Sequence, residues 1–410
     1  MRRSQGRFQS HNRWRSQVLA SSVLVLLAAA CGGSPPSSSS DGSPILIGQV
    51  ASLTGPYQTL GLNDKLGAQQ AIDEINKAGG VNGHPLRIVS VEDDQTKADQ
   101  AIIAFNNLIS AGAVAIVGSS FSNASLAIIK GDLDRKKIPY VSTAASDQQI
   151  DPLHAYAFMT PPTAATVAER LLQYMKSAGL THMAVIHDTQ NAFADTGWGA
   201  MKAMASQYGI SFDQEETFAT ASTDFSPQLS HVKAKAGIQG LMCWGTGPGP
   251  VALTKQFAAT PGLKIPLLMS HAEASSLYTK PSGDAASGVI VATSLGVAGP
   301  YLPDKHPAKK VIDDMAKTFQ ANNGYYPPQF AFDGYVAVKL IADAIRRKGA
   351  KPDQIQAGLE SATLLTPEGT YKYSKTNHWG LALDAVVITQ VQNGNFVPTS
   401  FSQNLLAQGK

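Results

Sequence analysis

The chain alternates short apolar runs with segments of helical periodicity over most of its length, and this alternation limits the possible folds more than any other feature. The first cycle pairs the apolar run Ile45–Ala51 with helical spacing from about Gly61 to Lys77. A second cycle follows at once, with the apolar run Leu86–Val91 and the helical segment Ala98–Ser110. Strands separated by helices predict a parallel sheet that is covered by helices on both faces.

The pattern runs through two series, which indicates two similar α/β halves. The first series also contains the predicted strands Ala113–Val117 and Ile138–Ser142. The segment Phe158–Pro162 breaks the alternation, and we interpret it as a passage between two domains. A second series runs through residues 164–294, and long helices and a β-hairpin with an Asn393-Gly394 turn follow it. A body of roughly 365 residues is too large for one small core, so two domains are expected.

The first thirty residues have the pattern of an export signal. Five arginines and no acidic residue precede the apolar segment Val18–Ala30, which is too short to span a membrane comfortably. Residues 1–30 are therefore a predicted signal peptide. Small residues stand directly before Cys31, as in a bacterial lipobox, so Cys31 is the predicted lipidation site; an ordinary cleaved signal with an incidental cysteine is the alternative.

The Ser/Pro-rich segment 31–43 cannot bury apolar surface and is predicted to be a flexible linker. The protein is then expected to be exported and anchored to the cell membrane through Cys31, on its periplasmic or extracellular face.

The basic net charge of the chain belongs to the predicted signal. The formal charge is +3, but loss of the five N-terminal arginines lowers Lys+Arg from 33 to 28 against 30 Asp+Glu. The mature chain would be slightly acidic, which gives no support to nucleic-acid binding. Cys243 is the second of only two cysteines, so no disulfide is predicted in the mature protein.

Three loops rich in small and hydroxyl residues follow predicted strands of the first series. Ser122 follows the third strand, Thr143–Ser146 follows the fourth and Thr54–Tyr57 follows the first. The carboxyl ends of parallel strands meet at one edge of a sheet, where open α/β sheets bind their ligands. Backbone N–H groups at a helix start, together with serine hydroxyls, favour an anionic ligand group.

Signatures of catalysis are scarce. The chain contains no Gly-x-Ser-x-Gly elbow, phosphate-binding Gly-Lys-Ser/Thr loop or His-Glu-x-x-His motif. We interpret Asp93-Asp94 as helix-capping residues. His271 and Glu273 follow a predicted strand and could face a ligand, but they form a weak metal pair. Neither an enzymatic activity nor a metal or cofactor is therefore predicted, and an exported hydrolase that uses Ser122 or His271 is the remaining enzymatic alternative.

Segments along the whole body carry a family resemblance, and their order and spacing matter more than any one motif. They are Leu53–Pro56 with Gly61, Ala68–Gly83, Ile116–Gly118 with Ser122, Val141–Ala145, Val185–Asp188 and Phe332–Tyr335. From Ile45 to about Pro398 the sequence resembles the periplasmic leucine/isoleucine/valine-binding proteins, the substrate-binding components of ABC transporters.

The resemblance implies the two-lobed α/β type I periplasmic binding fold. Each lobe has a mostly parallel sheet flanked by helices, and three hinge crossings join the lobes. Lobe I is expected to comprise residues 44–160 and 293–372, and lobe II residues 161–292 and 373–408. Hinge segments are expected near Thr160, Ala292 and Tyr373.

The resemblance also implies roles for individual residues. Ser122 would bind the α-carboxylate of an amino acid, and the Ala144 carbonyl and Ser146 hydroxyl would hold its α-ammonium. Leu60 stands where the branched-chain binders have an aromatic residue, and an acid expected for the ammonium falls near His271 and Glu273. The full set of predicted ligand-binding residues is Ser122, Ala144, Ser146, Tyr57, Leu60, Phe193, Gly247, His271 and Glu273.

The expected function is that of a lipid-anchored receptor. Acting as a monomer, the protein would capture a small amino acid, or a related carboxylate or amide. It would deliver this ligand to an ABC permease with its ATPase subunits. The alternative is a sensory module on the same fold that signals ligand occupancy to a membrane receptor.

Overall fold

The computed structural model of the protein describes residues 42–408, apart from the side chain of Asp132. The strands are β1 (Ile45–Ala51), β2 (Leu86–Asp93), β3 (Ile116–Val117), β4 (Tyr140–Ser142), β5 (Ala157–Met159), β6 (His182–Asp188), β7 (Ser211–Phe218), β8 (Gly240–Trp244), β9 (Leu267–Met269), β10 (Ile290–Ser294), β11 (Thr363–Thr366), β12 (Gly369–Lys372), β13 (Val386–Gln392) and β14 (Asn395–Pro398). The helices are α1 (Gln58–Lys77), α2 (Ala98–Ser110), α3 (Ser122–Ile128), α4 (Asp134–Lys136), α5 (Ala164–Ser177), α6 (Ala192–Met204), α7 (Ser226–Ala234), α8 (Pro248–Ala259), α9 (Ser276–Ser282), α10 (Leu295–Ala298), α11 (Lys309–Asn323), α12 (Gln329–Lys348), α13 (Pro352–Leu359) and α14 (Ser400–Ala407).

The first sheet has five strands in the order β2-β1-β3-β4-β5, and every pair is parallel. Its central strands are apolar on both faces because helices cover both, and Ile47 and Val50 are fully buried. The strand order reverses between β1 and β3, so the loops that follow these two strands diverge. That divergence opens a crevice at the carboxyl edge of the sheet.

The second sheet repeats this arrangement. Its parallel part has the order β7-β6-β8-β9-β10, which is the order of the first sheet with a later set of strands. Two antiparallel strands, β13 and β14, extend the sheet beyond β10. The crevice of this sheet lies where the loops after β6 and β8 diverge, and the predicted pair of similar α/β halves is confirmed.

The passage between the two domains, predicted at Phe158–Pro162, begins later in the chain than expected. Residues Ala157–Met159 form β5, which pairs with β4 in register Tyr140 with Ala157, so the chain leaves the first sheet only at Thr160. Three residues are too few to show a strand pattern in a sequence, and the prolines that follow obscured it.

The chain passes between the two sheets three times, after β5, after β10 and between β12 and β13. The returning segment brings α12 against α1, where the two helix backbones approach closely. A side chain at Gly334 would overlap the Asp64 backbone, and one at Gly67 would overlap the Ala331 carbonyl. Fifteen of the twenty residues of α12 are buried, so this helix is part of the core that supports the first sheet.

The predicted capping role of Asp93 and Asp94 is wrong. The N-cap of α2 is Lys97, without a side-chain hydrogen bond. The Asp93 carboxylate instead accepts hydrogen bonds from the Leu53 N–H (2.8 Å) and the Thr54 hydroxyl (2.7 Å). The two acidic residues therefore join the loop after β2 to the loop after β1, which fixes one wall of the crevice.

Several predictions fall outside the described residues, namely the signal peptide, Cys31 and the linker up to residue 41. Within residues 42–408, no helix has the length and apolar character that a membrane span needs. Cys243 is a buried free thiol in β8.

Candidate functional site

The carboxyl edges of the two sheets contribute loops to one cleft, which has two adjacent parts with shared lining residues. The narrow compartment, about 20 Å³ in volume, is lined by residues from both sheets and from α12: Ser120, Ser122, Thr143, Ala144, Asn191, Phe193, His271, Gln329, Phe330 and Asp333 among them. The wide compartment, about 290 Å³, is lined by Pro56, Thr59, Gly247, Val251, Glu273, Leu277 and Tyr278 among others. Leu60, Thr246, Ala272 and Phe330 line both, and we call these four residues the waist.

Ser122 lies at the first residue of α3, and a buried tyrosine holds the loop before it. The Tyr140 hydroxyl accepts from the Ser119 N–H (3.0 Å) and shares a hydrogen bond with Ser125 Oγ (2.8 Å). Only a glycine fits at position 118, because a Cβ there would overlap the Tyr140 ring. The strand-loop-helix junction predicted from the sequence therefore exists, and Ser122 lines the narrow compartment from it.

Ala144 lies opposite, in the loop after β4. Its carbonyl accepts a hydrogen bond from Gln149 Nε2 (2.9 Å), and its N–H donates to Ser142 Oγ (3.1 Å). Gln149 is itself buried, so the backbone at Ala144 is held in one orientation. One lone pair of the carbonyl remains for a ligand.

The second sheet contributes an aromatic wall. The Asn191 side chain accepts from the Phe193 N–H (3.0 Å) and thereby caps α6. The Phe193 ring then packs edge-on against the His271 ring at 5.2 Å and against Trp244 at 5.6 Å between ring centroids. This packing fixes Phe193 and His271 as one surface of the narrow compartment.

His271 and Glu273 lie on the same 3₁₀ turn but line different compartments. Burial lowers the pKa of His271 to about 4 and raises the pKa of Glu273 well above its usual value. His271 is therefore neutral near pH 7, and burial favours the protonated form of Glu273. His271 Nδ1 and Glu273 Oε1 have no protein hydrogen-bond partner among the described residues, whereas Glu273 Oε2 accepts from Ser270 Oγ (3.0 Å).

Two predicted ligand-binding residues, Tyr57 and Ser146, instead connect the two sides of the cleft. The Tyr57 hydroxyl accepts from Asn191 Nδ2 (2.9 Å), and Ser146 Oγ shares a hydrogen bond with Thr196 Oγ1 (2.9 Å). Neither side chain is among those that line the two compartments. Their predicted contact with a ligand stays a prediction, and the observed contacts are between the two α/β halves.

Asn123 makes a further connection across the cleft. Its Nδ2 donates to the Gln190 carbonyl (3.1 Å), and its Oδ1 accepts from the Ala192 N–H (2.9 Å). This pair of bonds joins the start of α3 to the start of α6, so the helices that carry Ser122 and Phe193 are fixed relative to each other.

Position 247 requires a glycine for two reasons. Its φ of +81° lies in the left-handed region, and a Cβ would come within 2.9 Å of Tyr57 Cε1. Because the Tyr57 ring packs against its backbone, this loop after β8 closes one end of the wide compartment.

The sequence analysis did not identify the contribution of α12. Gln329, Phe330 and Asp333 line the narrow compartment from the first turns of this helix. The sequence does contain a signal for this contribution: Asp333 stands among apolar residues in a helix that is buried on almost every side. A buried carboxyl group needs a hydrogen-bonding or charged partner.

That partner is Glu368, and the two acids belong to a buried network. Burial and the nearby Glu368 carboxyl raise the pKa of Asp333 well above its usual value, and burial raises the pKa of Glu368 to about 8. Gln329 Nε2 donates to Glu368 Oε1 (2.6 Å), and Gln329 Oε1 accepts from the Ser294 N–H (3.3 Å). The Tyr371 hydroxyl hydrogen-bonds with Glu368 Oε2 and with the Thr160 carbonyl. The network therefore joins the first two crossings between the sheets behind the wall of the narrow compartment.

The residues that line the cleft are suited to binding a ligand rather than to chemistry that needs cationic side chains or a metal ion. In the described part of the chain, neither lysine nor arginine lines the two compartments. Among residues 42–408, no three His, Cys, Asp or Glu side chains are grouped so that they could hold a metal ion. Hydroxyls, backbone groups and carboxyl groups with raised pKa values, together with the neutral His271, are left to contact a ligand.

Comparisons with known proteins agree with this geometry. A family model described as "Periplasmic binding protein" matches residues 44–395. A leucine-, isoleucine-, valine-, threonine- and alanine-binding protein of Pseudomonas aeruginosa is 27% identical over 340 residues, which cover 81% of this chain and 86% of the relative.

Solved structures show the same fold. A type 1 periplasmic binding protein from Bordetella pertussis has a TM-score of 0.77 at 22% identity and covers 87% of this chain and 100% of its own. A branched-chain amino acid transporter's substrate-binding protein from Streptococcus pneumoniae, in complex with isoleucine, has a TM-score of 0.76 at 19% identity (86% and 97% covered). A solute-binding protein from Rhodopseudomonas palustris, in complex with benzoate, has a TM-score of 0.73 at 19% identity (87% and 95%). The predicted type I periplasmic binding fold is confirmed.

Proposed function

The chain belongs to the periplasmic binding protein family, and from this premise we propose that it is an extracytoplasmic solute receptor of an ABC transporter. It captures a small amino acid, or a related carboxylate or amide, in the cleft and delivers it to a permease with its ATPase subunits. Members of the family bind solutes and are not enzymes, which supports a binding role without covalent chemistry. Anchoring through a lipidated Cys31 and action as a monomer are part of the proposal.

The proposal depends on one observation. Both sheets line one cleft, each at the point where its strand order reverses. Ser122 and Ala144 come from the first sheet, and Phe193 and His271 from the second, and all four line the narrow compartment. A ligand there contacts both halves at once, so its binding energy favours the closed arrangement. Leu60, at the waist, contacts the ligand between the two compartments.

In the proposed mechanism, residues 44–160 with 293–372 form one lobe and residues 161–292 with 373–408 form the other. The lobes close about the three crossings near Thr160, Ala292 and Tyr373. Ser122 binds the carboxylate of the ligand through its hydroxyl and N–H. The Ala144 carbonyl accepts a hydrogen bond from an ammonium or amide N–H group of the ligand. The Ser146 hydroxyl accepts one as well when the lobes are open. Charge-assisted hydrogen bonds of this kind contribute ~1.5–3 kcal/mol each, and a micromolar affinity needs only about 8 kcal/mol in total.

A ligand panel read by thermal shift tests this function. The panel contains amino acids, aromatic and aliphatic acids, amides and short polyols. A true ligand at one hundred times its Kd stabilises the folded protein by about 2.7 kcal/mol. Stabilisation by at least one acid, amino acid or amide, without conversion of that compound, is the expected result. Turnover of the ligand, or no stabilisation by any compound, would contradict the proposal.

The second candidate is a sensory module on the same fold. The contacts that cross the cleft favour it as well, because they couple ligand occupancy to the relative position of the halves. Co-purification with a membrane receptor rather than with a permease would support it.

A further inference from the structure

The two compartments lie next to each other but differ greatly in volume. The narrow compartment measures about 20 Å³, which corresponds to one or two water-sized positions at about 10–15 Å³ each. The wide compartment measures about 290 Å³, roughly twice the ~150 Å³ of a protein cavity that holds benzene. A ligand whose polar head occupies the narrow compartment therefore leaves most of the cleft to the rest of its structure.

The four waist residues line both compartments, so the compartments are close enough for one elongated molecule to reach from one into the other. Leu60 and Phe330 contribute apolar surface there, and Thr246 contributes a buried hydroxyl. Thr246 Oγ1 has no protein hydrogen-bond partner among the described residues. A buried hydroxyl without a partner is costly, so this group is available to a ligand that passes the waist.

The wide compartment is suited to an uncharged, mainly apolar body. Its walls are Pro56 and Thr59 from the first side and Val251, Leu277 and Tyr278 from the second. Glu273 is its one carboxyl group, and burial raises the pKa of that group.

A second negative charge at the far end of a ligand would have no counter-ion, because no described lysine or arginine lines this space. Burial favours the protonated form of Glu273, and its unpartnered Oε1 suits an uncharged hydrogen-bonding group.

We propose that the natural ligand is an elongated molecule with a single carboxylate head and an uncharged apolar body larger than a leucine side chain. The head binds at Ser122 in the narrow compartment, and the body crosses the waist into the wide compartment. This inference rests on the proposed function and specifies its substrate class.

Matched pairs of short and long compounds test the substrate class by isothermal titration calorimetry on the purified chain. The pairs are benzoate with 4-phenylbutanoate, and leucine with homophenylalanine, so that acids with and without an ammonium are both covered. Each fully buried methylene tightens binding by about fourfold. The longer member of at least one pair is therefore expected to bind at least about tenfold more tightly than the shorter member.

Val251→Phe fills the wide compartment from the second side and Thr59→Phe fills it from the first. Each substitution is expected to weaken the longer compound by about tenfold or more and the shorter one by much less. Thr59 is exposed, so its variant should fold even if the Val251 variant does not. Ala258→Phe, an exposed position on the same helix as Val251, is the control and should change neither affinity.

The outcomes separate the two proposals. Tighter binding of the long compounds together with their selective loss in the filled variants supports the elongated ligand. Short compounds that bind as tightly as long ones, or filled variants that weaken both members of a pair equally, would overturn it and leave the receptor function standing. Absence of binding by every compound would overturn the receptor function as well.

Discussion

At the level of single residues, the cleft combines fixed hydrogen-bonding groups with titratable groups that burial keeps neutral. Ser122 is 3% exposed and lies at the start of a helix, where backbone N–H groups are unpaired within the helix. Burial lowers the pKa of His271 to about 4 and raises the pKa of Glu273, so it favours the neutral form of both residues. Recognition of a carboxylate then depends on dipoles rather than on a cationic side chain.

Ser122→Ala tests this dependence. Loss of the hydroxyl should weaken a carboxylate ligand by about 1–3 kcal/mol, which is a factor of roughly 5 to 150 in Kd. Calorimetry with the best acid from the ligand panel measures the change. Ser110→Ala, on the exposed end of α2, is the matched control. An unchanged affinity in the Ser122 variant would remove this residue from the site.

The sequence predicted part of this site and not the rest. Ser122, Ala144, Leu60, Phe193, Gly247, His271 and Glu273 all line the cleft, because each follows a strand at a carboxyl edge. Ser146 and Tyr57 could not be separated from them by sequence, since only their partners Thr196 and Asn191, far along the chain, direct their hydroxyls across the cleft.

At the level of elements, the contact between α1 and α12 holds the first sheet's supporting layer together. Gly67 and Gly334 allow the two backbones to approach, and Tyr335 and Lys339 both hydrogen-bond with Glu74 at the edge of the contact. Since α12 also carries Gln329 and Asp333, the position of this helix sets one wall of the narrow compartment.

Gly334→Ala should therefore destabilise the protein, because its methyl group would overlap the backbone at Asp64. Overpacking of this kind costs about 1–3 kcal/mol. Gly199→Ala is the control, since a Cβ at this position in α6 meets no atom within 4 Å. It should be neutral or stabilise by up to about 1 kcal/mol. Urea unfolding measures both, and equal effects of the two substitutions would contradict the packing argument.

Element types were more predictable than element limits. Helix α2 and strand β1 have the predicted bounds, since their apolar periodicity is regular. Strands β3 and β4 are shorter than predicted, because a buried apolar run continues into a loop without changing its composition.

At the level of the whole molecule, the halves are joined by two kinds of contact. Asn123 and Tyr57 connect the helix starts across the cleft, and the Gln329–Glu368–Tyr371 network connects the crossings behind it. The first kind must break when the cleft opens, whereas the second lies at the crossings themselves. The two kinds therefore predict different experimental consequences.

Asn123→Ala removes two hydrogen bonds that exist only while the halves are together. At about 1 kcal/mol each, their loss should weaken ligand binding by roughly tenfold or more and favour the open form. Calorimetry measures the affinity, and small-angle scattering measures the radius of gyration with and without ligand. Asn106→Ala is the control, because its side chain bonds to Ile102 within its own helix. Affinity and radius that match the unsubstituted protein would contradict a bridging role.

The buried acids predict how stability depends on pH. The folded state raises the pKa of Asp333 and Glu368, so it retains protons that the unfolded chain releases above its ordinary carboxyl values near 4. Stability contributed by the pair is complete below those values and is lost as the pH rises toward the raised pKa values. Asp333→Asn and Glu368→Gln should each reduce this loss by on the order of 1 kcal/mol between pH 5 and pH 8. Urea unfolding at both pH values measures it, and an undiminished loss in both variants would contradict a shared-proton pair.

The late position of α12 in the chain also has a consequence for the order of folding. The apolar side of α1, with Ala68, Ala71 and Ile75, emerges from the ribosome early, but the helix that covers it follows only after the whole second series has been made. Strands β6 to β10 are consecutive, with helices α6 to α9 between them, and only β13 and β14 of the second sheet come after α12. We therefore expect the second half to be the first to fold during synthesis, although it begins later in the sequence, because long-range contacts form last.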